Sequence, residues 1–279
     1  MKEFNEQRIG VFDSGVGGLT VLKELERQLP RESILYFGDT ARLPYGTRSK
    51  AEILQFVLDI LAWMAEEEVK MVVMACNTSS ALALDEVRAC FDFPILGLIL
   101  PGAKAAVLQG RRIGAIATPA TVASNAYRQA ILEIDANVRV WQVGCPEFVP
   151  LIEENRIHHP YTRQVATAYL QPLLDNQIDT LIYGCTHYPH LAPVLKTILP
   201  PSVRLVNPAD CVAKATAREL QLLGLDNIGE KRPTRFCVSG DPQRFARLSQ
   251  QWLSETPNVE KVYLSSARLA SMPLNSVDS

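Results

Sequence analysis

A two-lobed α/β fold, with a mainly parallel sheet flanked by helices in each of two pseudo-symmetric lobes, is the architecture this sequence predicts. Three observations carry it. Short apolar runs alternate with stretches of helical periodicity, the pattern that builds parallel sheets with right-handed crossovers. Four such runs in the first half recur at similar spacing in the second. One run in each half stops abruptly at a cysteine followed by small polar residues. That pattern reads as a buried strand delivering a side chain to the rim of an open sheet, where α/β proteins place their ligands.

The first half opens on the strand Arg8-Ile9-Gly10-Val11-Phe12, the second on Arg112-Ile113-Gly114-Ala115-Ile116. Ile34-Leu35-Tyr36-Phe37 begins 25 positions after Ile9, and Val138-Arg139-Val140-Trp141 begins 25 positions after Ile113. The cysteine runs come next: Cys76 lies 67 positions beyond Ile9 and Cys185 lies 72 beyond Ile113. Ile95-Leu96-Gly97-Leu98 and Val203-Arg204-Leu205-Val206 follow at offsets of 86 and 90. Strand–helix units are all of similar length, so spacing alone is weak; four matched strands in order make a duplication the better reading.

Between the strands lie helices. One is expected to begin near Leu19. Ser49-Lys50-Ala51-Glu52 has the form of a capping box and leads into Ile53, Phe56, Val57, Ile60, Leu61 and Met64, an apolar stripe at helical spacing. The counterpart in the second half is 161–174, which Pro172 is expected to end or bend. After Pro208 the pattern changes to a helix over 209–223 and strands at 234–238 and 259–264, a tail expected to return to the first lobe. The expected division is therefore 1–97 with 209–265 as a discontinuous first lobe and 98–208 as the second. Residues 266–279, rich in Ser and small side chains, are expected to form a flexible C-terminal tail.

Bulk properties narrow the function. With 279 residues the chain can bury a core in each lobe, and 47% apolar with 21% charged residues is an ordinary globular composition. A formal charge of −2 gives no electrostatic reason to expect nucleic acid or an anionic membrane as partner. The longest apolar stretch, 93–103, is interrupted by Pro94 and Pro101, and the first residues lack the apolar core of a signal peptide, so a cytoplasmic protein is expected. The six cysteines include no Cys-x-x-Cys pair, which argues against a zinc site and a disulfide framework.

Buried cysteines are usually core filler, but the context of Cys76 and Cys185 lifts them above that. Two thiols delivered to one cleft from opposite lobes suit an enzyme that removes a proton from one face of a carbon and returns one to the other. The loop Asp13-Ser14-Gly15-Val16-Gly17-Gly18 can turn tightly and offer helix N–H groups to an anion, yet it fits neither the P-loop nor the dinucleotide fingerprint. Asp13 is placed to tune a thiol or bind an ammonium group. The loop 38–46 carries turn residues with a polar inventory. His187, two residues beyond Cys185, can tune that thiol or donate a proton, whereas His158 and His159 read as solvated.

At these motifs the chain resembles the bacterial glutamate racemases. The resemblance is carried by Ile9-Gly10-Val11-Phe12-Asp13-Ser14-Gly15-Val16-Gly17-Gly18-Leu19-Thr20-Val21 and by Tyr36-Phe37-Gly38-Asp39-Thr40 with Pro44-Tyr45-Gly46. Ala75-Cys76-Asn77-Thr78-Ser79-Ser80-Ala81 and Gly184-Cys185-Thr186-His187-Tyr188-Pro189 complete it. Aspartate racemases share the two-cysteine plan but typically carry His soon after the first Cys-Asn-Thr and Glu after the second Cys-Thr. Ser79-Ser80 and His187 here favour glutamate.

The resemblance implies cofactor-independent, metal-free interconversion of L- and D-glutamate for peptidoglycan biosynthesis, in a homodimer. It implies Cys76 and Cys185 as the acid–base pair, the first acting on D-glutamate and the second on L-glutamate, with Asp13 and His187 as their respective assistants. Asp13, Ser14, Pro44, Tyr45, Gly46, Asn77, Thr78, Thr118, Thr121, Glu153, Thr186 and His187 correspond to substrate-contacting or site-lining positions. Two departures from the family pattern, Glu147 in place of an apolar residue and Leu100 in place of a Glu, bear on packing and subunit contact. Two other readings remain: an aspartate or hydantoin racemase of the same superfamily, and a non-enzymatic two-lobed amino-acid-binding protein.

Overall fold

The computed structural model describes residues 4–265; the expected tail, 266–279, lies outside the described residues. The first half runs β1 (Ile9–Asp13), α1 (Leu19–Gln28), β2 (Ile34–Gly38), α2 (Lys50–Glu66), β3 (Met71–Met74), α3 (Asn77–Val87), β4 (Ile95–Gly97) and α4 (Ile99–Gln109). The second half continues with β5 (Arg112–Ala117), α5 (Pro119–Ser124), α6 (Ala126–Ile134), β6 (Arg139–Gly144) and α7 (Phe148–Glu153). After these come α8 (Pro160–Asp175), β7 (Thr180–Gly184), α9 (Ala192–Leu195) and β8 (Arg204–Val206). Last are α10 (Pro208–Leu223), β9 (Arg235–Val238), α11 (Pro242–Ser249) and β10 (Val259–Lys261).

Two parallel sheets result. The larger has the order β10-β9-β2-β1-β3-β4, the smaller β6-β5-β7-β8. Stripped of β9 and β10, the first sheet reads second-first-third-fourth, as the second sheet does. The internal symmetry is thus one of topology as well as spacing. In the second sheet Ala117 pairs with Gly144 on one side and Gly184 on the other, so three strands end level. In the first, Asp13 pairs with Gly38 and Phe12 with Met74. β9 joins the free edge of β2, Phe236 lying opposite Tyr36.

The strands form because they are short β-branched and aromatic runs covered on both faces. Every residue of β1, β2, β3 and β7 is buried, and each fully buried Val, Leu, Ile or Phe contributes about 1.5–3 kcal/mol. The capping box at Ser49 forms as its sequence predicts, Ser49 and Glu52 each bonding the other's main-chain N–H. Pro172 neither ends α8 nor limits it, since the helix continues to Asp175. Its missing N–H costs α8 one main-chain bond, the one to the Ala168 carbonyl.

One apolar cluster crosses between the lobes. Val16, just before α1, and Leu19 and Leu22 at its start belong to the same core as Phe148, Leu151, Tyr188 and Leu191 of the second half. Separate clusters fill the outer face of each sheet, one around Phe12, Phe37 and Ile60, the other around Ile113, Tyr127 and Ile182. The lobes are therefore joined by an apolar core as well as by polar groups at the strand ends. Among the described residues no helix is long and apolar enough to cross a membrane.

Candidate active site

β1 ends on Asp13, which is 1% exposed. Its Oδ2 accepts hydrogen bonds from the Gly15 N–H at 3.1 Å and the Gly18 N–H at 2.9 Å. The glycine loop thus spends those N–H groups on the protein's own carboxylate rather than on an incoming anion. Gly18 is required, since a Cβ there would lie 2.5 Å from Asp13 Cβ. Burial raises the Asp13 carboxyl, opposed by His187 and by the loop N–H groups.

Two residues after β3, Cys76 stands at the N-cap of α3 in extended backbone, with 5% of its surface exposed. Burial, reinforced by the negative charge of Asp13, pushes its thiol up to about 12. At neutral pH Cys76 is a thiol. Asp13 thereby acts on Cys76 as a charge that keeps it protonated.

In the second lobe Cys185 directly follows β7 and is also buried. Its Sγ lies 3.7 Å from His187 Nδ1, and His187 Nε2 lies 3.1 Å from Oε1 of Glu153, the last residue of α7. Burial of His187 favours its neutral form. The hydrogen bonds to Cys185 and Glu153 and their charges outweigh burial and raise the imidazole to about 10. A cationic His187 thus stands beside the Cys185 sulfur. The two thiols therefore sit in opposite surroundings, Cys76 against a carboxylate and Cys185 against an imidazolium.

The lobes touch around these groups. A Cβ on Gly17 would come within 2.3 Å of His187 Nδ1 and 2.5 Å of Thr186 Oγ1, so only glycine allows the first-lobe loop to lie against the second-lobe histidine. The Thr20 hydroxyl donates to the Thr186 carbonyl at 2.9 Å. Thr78, Thr118 and Thr121 form a triangle of hydroxyls, 2.9, 3.2 and 2.9 Å on its sides, joining the start of α3 to the start of α5. Asn77 accepts from the Tyr127 hydroxyl at 2.6 Å. Pro44 and Gly46 flank the buried Tyr45, and a Cβ on Gly46 would lie 2.9 Å from Thr118 Cβ. Ser14 and Thr186, next to Asp13 and Cys185, are buried as well.

Asp13, Cys76, Cys185, Thr186, His187 and Glu153 are thus linked by contact and by charge, with the threonine triangle and Gly46 closing the other side. Reading the sequence alone missed Tyr127, Thr20 and Trp252. Trp252 follows α11 and sets its ring edge-on to His187, with centroids 5.9 Å apart, and to His190 at 4.7 Å. No motif surrounds it, so nothing local could have found it. His190, driven down to about 4 by burial and by His187 and Lys23, is a neutral wall behind the site. His158 and His159 are exposed, as read, although His159 also caps α8 by accepting from the Tyr161 N–H at 3.2 Å. Of the two departures, Glu147 accepts from the hydroxyls of Tyr161 and Tyr169 at 2.5 and 3.1 Å, and Leu100 is 44% exposed. Among the described residues no group of three or more His, Cys, Asp and Glu side chains is arranged to hold a metal ion.

The structure thus sets one buried thiol in the field of a carboxylate and the other beside an imidazole, side-chain types suited to acid–base chemistry. Comparisons with known proteins identify the family. Residues 9–216 match the family model for Asp/Glu/hydantoin racemases. The glutamate racemase of Microcystis aeruginosa is 69% identical over 265 residues, 95% of this chain and 94% of that one. Glutamate racemase isoform RacE1 from Bacillus anthracis superposes with a TM-score of 0.89 at 37% identity, covering 92% of this chain and 98% of that chain. The Francisella tularensis glutamate racemase, solved in complex with D-glutamate, gives 0.88 at 36% identity over 94% and 99%. With this identity along nearly its whole length, the chain belongs to the Asp/Glu/hydantoin racemase family, among its glutamate racemases.

Proposed function

We propose that this chain interconverts L- and D-glutamate by cofactor-independent proton transfer, with Cys76 and Cys185 as the two acid–base groups. The observation that carries the reading is their equivalence: each follows the third strand of a sheet with the same strand order, one per lobe. In the L-to-D direction the Cys185 thiolate takes the Cα proton from one face and becomes a thiol. The Cys76 thiol gives its proton to the other face and becomes a thiolate. The D-to-L direction starts from the reverse protonation state. Asp13 keeps Cys76 protonated, and His187, supported by Glu153, sets a cation beside Cys185.

The α-hydrogen of an amino acid is very weakly acidic, so positioning two bases is only part of the task. Each positioned acid or base typically supplies about 10²–10⁴-fold. The remainder falls to preorganised donors around the substrate, worth more in a buried cleft than in water. Ser14, Asn77, Thr78, Thr118, Thr121 and Thr186, with the Pro44-Tyr45-Gly46 loop, are the groups we assign to holding the substrate. A Schiff-base route would need a lysine at the site; Lys104, the nearest candidate in the sequence, is exposed on α4.

The reading places D-glutamate production for peptidoglycan in the cytoplasm, in a homodimer without nucleic-acid or membrane partners. It divides the chain into 1–97 with 209–265 and 98–208. The test is α-proton exchange with L- and D-glutamate in deuterated water, without added cofactor. Deuterium should enter the product enantiomer, and Cys76→Ser and Cys185→Ser should each abolish racemisation. Turnover of aspartate alone would overturn the substrate assignment. Near-wild-type exchange in both directions by either serine variant would overturn the pair.

A further inference from the structure

We infer that Asp39 is a positioning residue for the reaction, the buried anchor that sets how far the Tyr45-Gly46 loop reaches towards the second lobe. The inference rests on the reading of Tyr45 and Gly46 as substrate-holding positions. Asp39 directly follows β2 and is 0% exposed. Its Oδ1 accepts from the Ser239 hydroxyl at 2.7 Å, and its Oδ2 pairs with Arg42 Nε at 2.8 Å and accepts from the Tyr45 hydroxyl. Arg42 in turn reaches Asp59 of α2 at 2.8 Å and lies over the Phe56 ring. Two carboxylates and one guanidinium are thus held together with little access to water. The Tyr45 hydroxyl, raised well above its ordinary value by burial and by Asp39, stays a donor at any working pH.

Fold stability alone does not call for a carboxylate here, and the second lobe shows why. The residue after β6 is Cys145, whose N–H bonds the Ala117 carbonyl just as the Asp39 N–H bonds the Asp13 carbonyl, at 2.8 and 2.9 Å. Each lobe also ties a buried tyrosine to this residue. Tyr188, beside His187, donates to the Cys145 main-chain carbonyl at 2.9 Å, a neutral acceptor. The first lobe uses a fully buried charge for the same attachment and recruits Ser239 from the end of β9 to share it. A buried charge is costly to place and rigid once satisfied. Its rigidity is passed to Tyr45 and from there to Gly46, whose backbone runs so close to Thr118 of the threonine triangle that no Cβ would fit between them.

Loop contacts with the non-reacting part of a substrate act alike in ground and transition states, so loosening them should raise KM with little change in kcat. Steady-state kinetics in both directions on Asp39→Asn, Tyr45→Phe, the double variant and Ser239→Ala test this. KM for both enantiomers should rise about tenfold in each of the first two, with kcat within about threefold of wild type. The double variant should be no worse than Asp39→Asn alone, since the Tyr45 hydroxyl acts through its bond to Asp39. Ser239→Ala should raise KM about threefold and carries the test should Asp39→Asn fail to fold. Unchanged KM in the folded variants, or effects of Asp39→Asn and Tyr45→Phe that multiply in the double variant, would overturn the inference. Cys76→Ser, assayed alongside, separates the two readings. Racemisation by Cys76→Ser defeats the two-base assignment, whereas an inactive Cys76→Ser with an unaltered Asp39→Asn KM defeats only the positioning role.

Discussion

Replacing Glu153 with glutamine keeps the shape of the side chain and removes the charge that faces His187. The pair is separated by 3.1 Å, with His187 4% and Glu153 20% exposed. Coulomb's law at an effective dielectric of about 20 sets a ceiling of about 5 kcal/mol on the attraction. Solvent at the partly open Glu153 and the amide bond that glutamine can still make reduce the loss to roughly 1.5–3 kcal/mol. At about 1.4 kcal/mol per pKa unit, the imidazole should fall one to two units from its present value of about 10. The histidine stays protonated at pH 7, so activity there should drop by less than about tenfold. The larger effect is at alkaline pH, where the limb of the kcat/KM profile should move down by the same one to two units. Cys76, at about 12, titrates outside this window and does not confuse it. Enantiomers have equal free energy, so kcat/KM must fall identically in the two directions, and only kcat and KM separately can show asymmetry. Nitrogen-15 NMR of His187, together with pH profiles from pH 7 to 10.5, measures both quantities. An imidazole that titrates where it does in wild type, or an alkaline limb that stays in place, would refute the electrostatic role of Glu153.

Other perturbations test neighbouring links. Gly17→Ala inserts a Cβ where His187 Nδ1 stands 2.3 Å away, and the displaced imidazole should lower kcat at least ~100-fold while the circular dichroism spectrum stays native. Lys70 and Glu32 form a buried ion pair at 2.7 Å, and Lys70 also donates to the carbonyls of Asn5 and Leu225. Lys70→Met should cost about 3–5 kcal/mol in urea unfolding by stranding Glu32, with kcat retained at a permissive temperature. His187 has a folded pKa raised above its unfolded value of 6.5, so its contribution to stability is full below pH 6.5 and lost as pH rises through about 10. The gap in urea midpoint between wild type and His187→Asn should therefore narrow steadily over that interval; a gap that widens would contradict the assigned charge state.

Most of the framework was legible in the sequence because its signals are local. Strand residues such as 9–13, 71–74 and 180–184 are continuous apolar runs, and they form strands with ends within a residue or two of where the runs stop. Ser49 and Glu52 are three residues apart and make the capping box wherever the rest of the chain lies. Short helices were harder: α5 and α6 meet at Asn125, whose left-handed backbone breaks them, and no periodicity marks that break. The glycine loop was legible as a cradle, but not that Asp13 would fill it, because that depends on how the loop folds back over the end of β1.

The sequence by itself determined where the two thiols stand: at the ends of equivalent strands, delivered by runs whose burial is written in their composition. It also placed His187 beside Cys185, two residues on along the chain, whereas Asp13, far from Cys76 in sequence, reaches that thiol only through the pairing of β1 with β3. Only the tertiary structure decided how unequal the two thiols are. His187 is charged through Glu153, 34 residues away, and backed by Trp252 from the last part of the chain. Asp39 is satisfied by Ser239, 200 residues away. Protonation states answer to burial and to the sum of nearby charges, and those quantities exist only once the chain has brought its distant parts together.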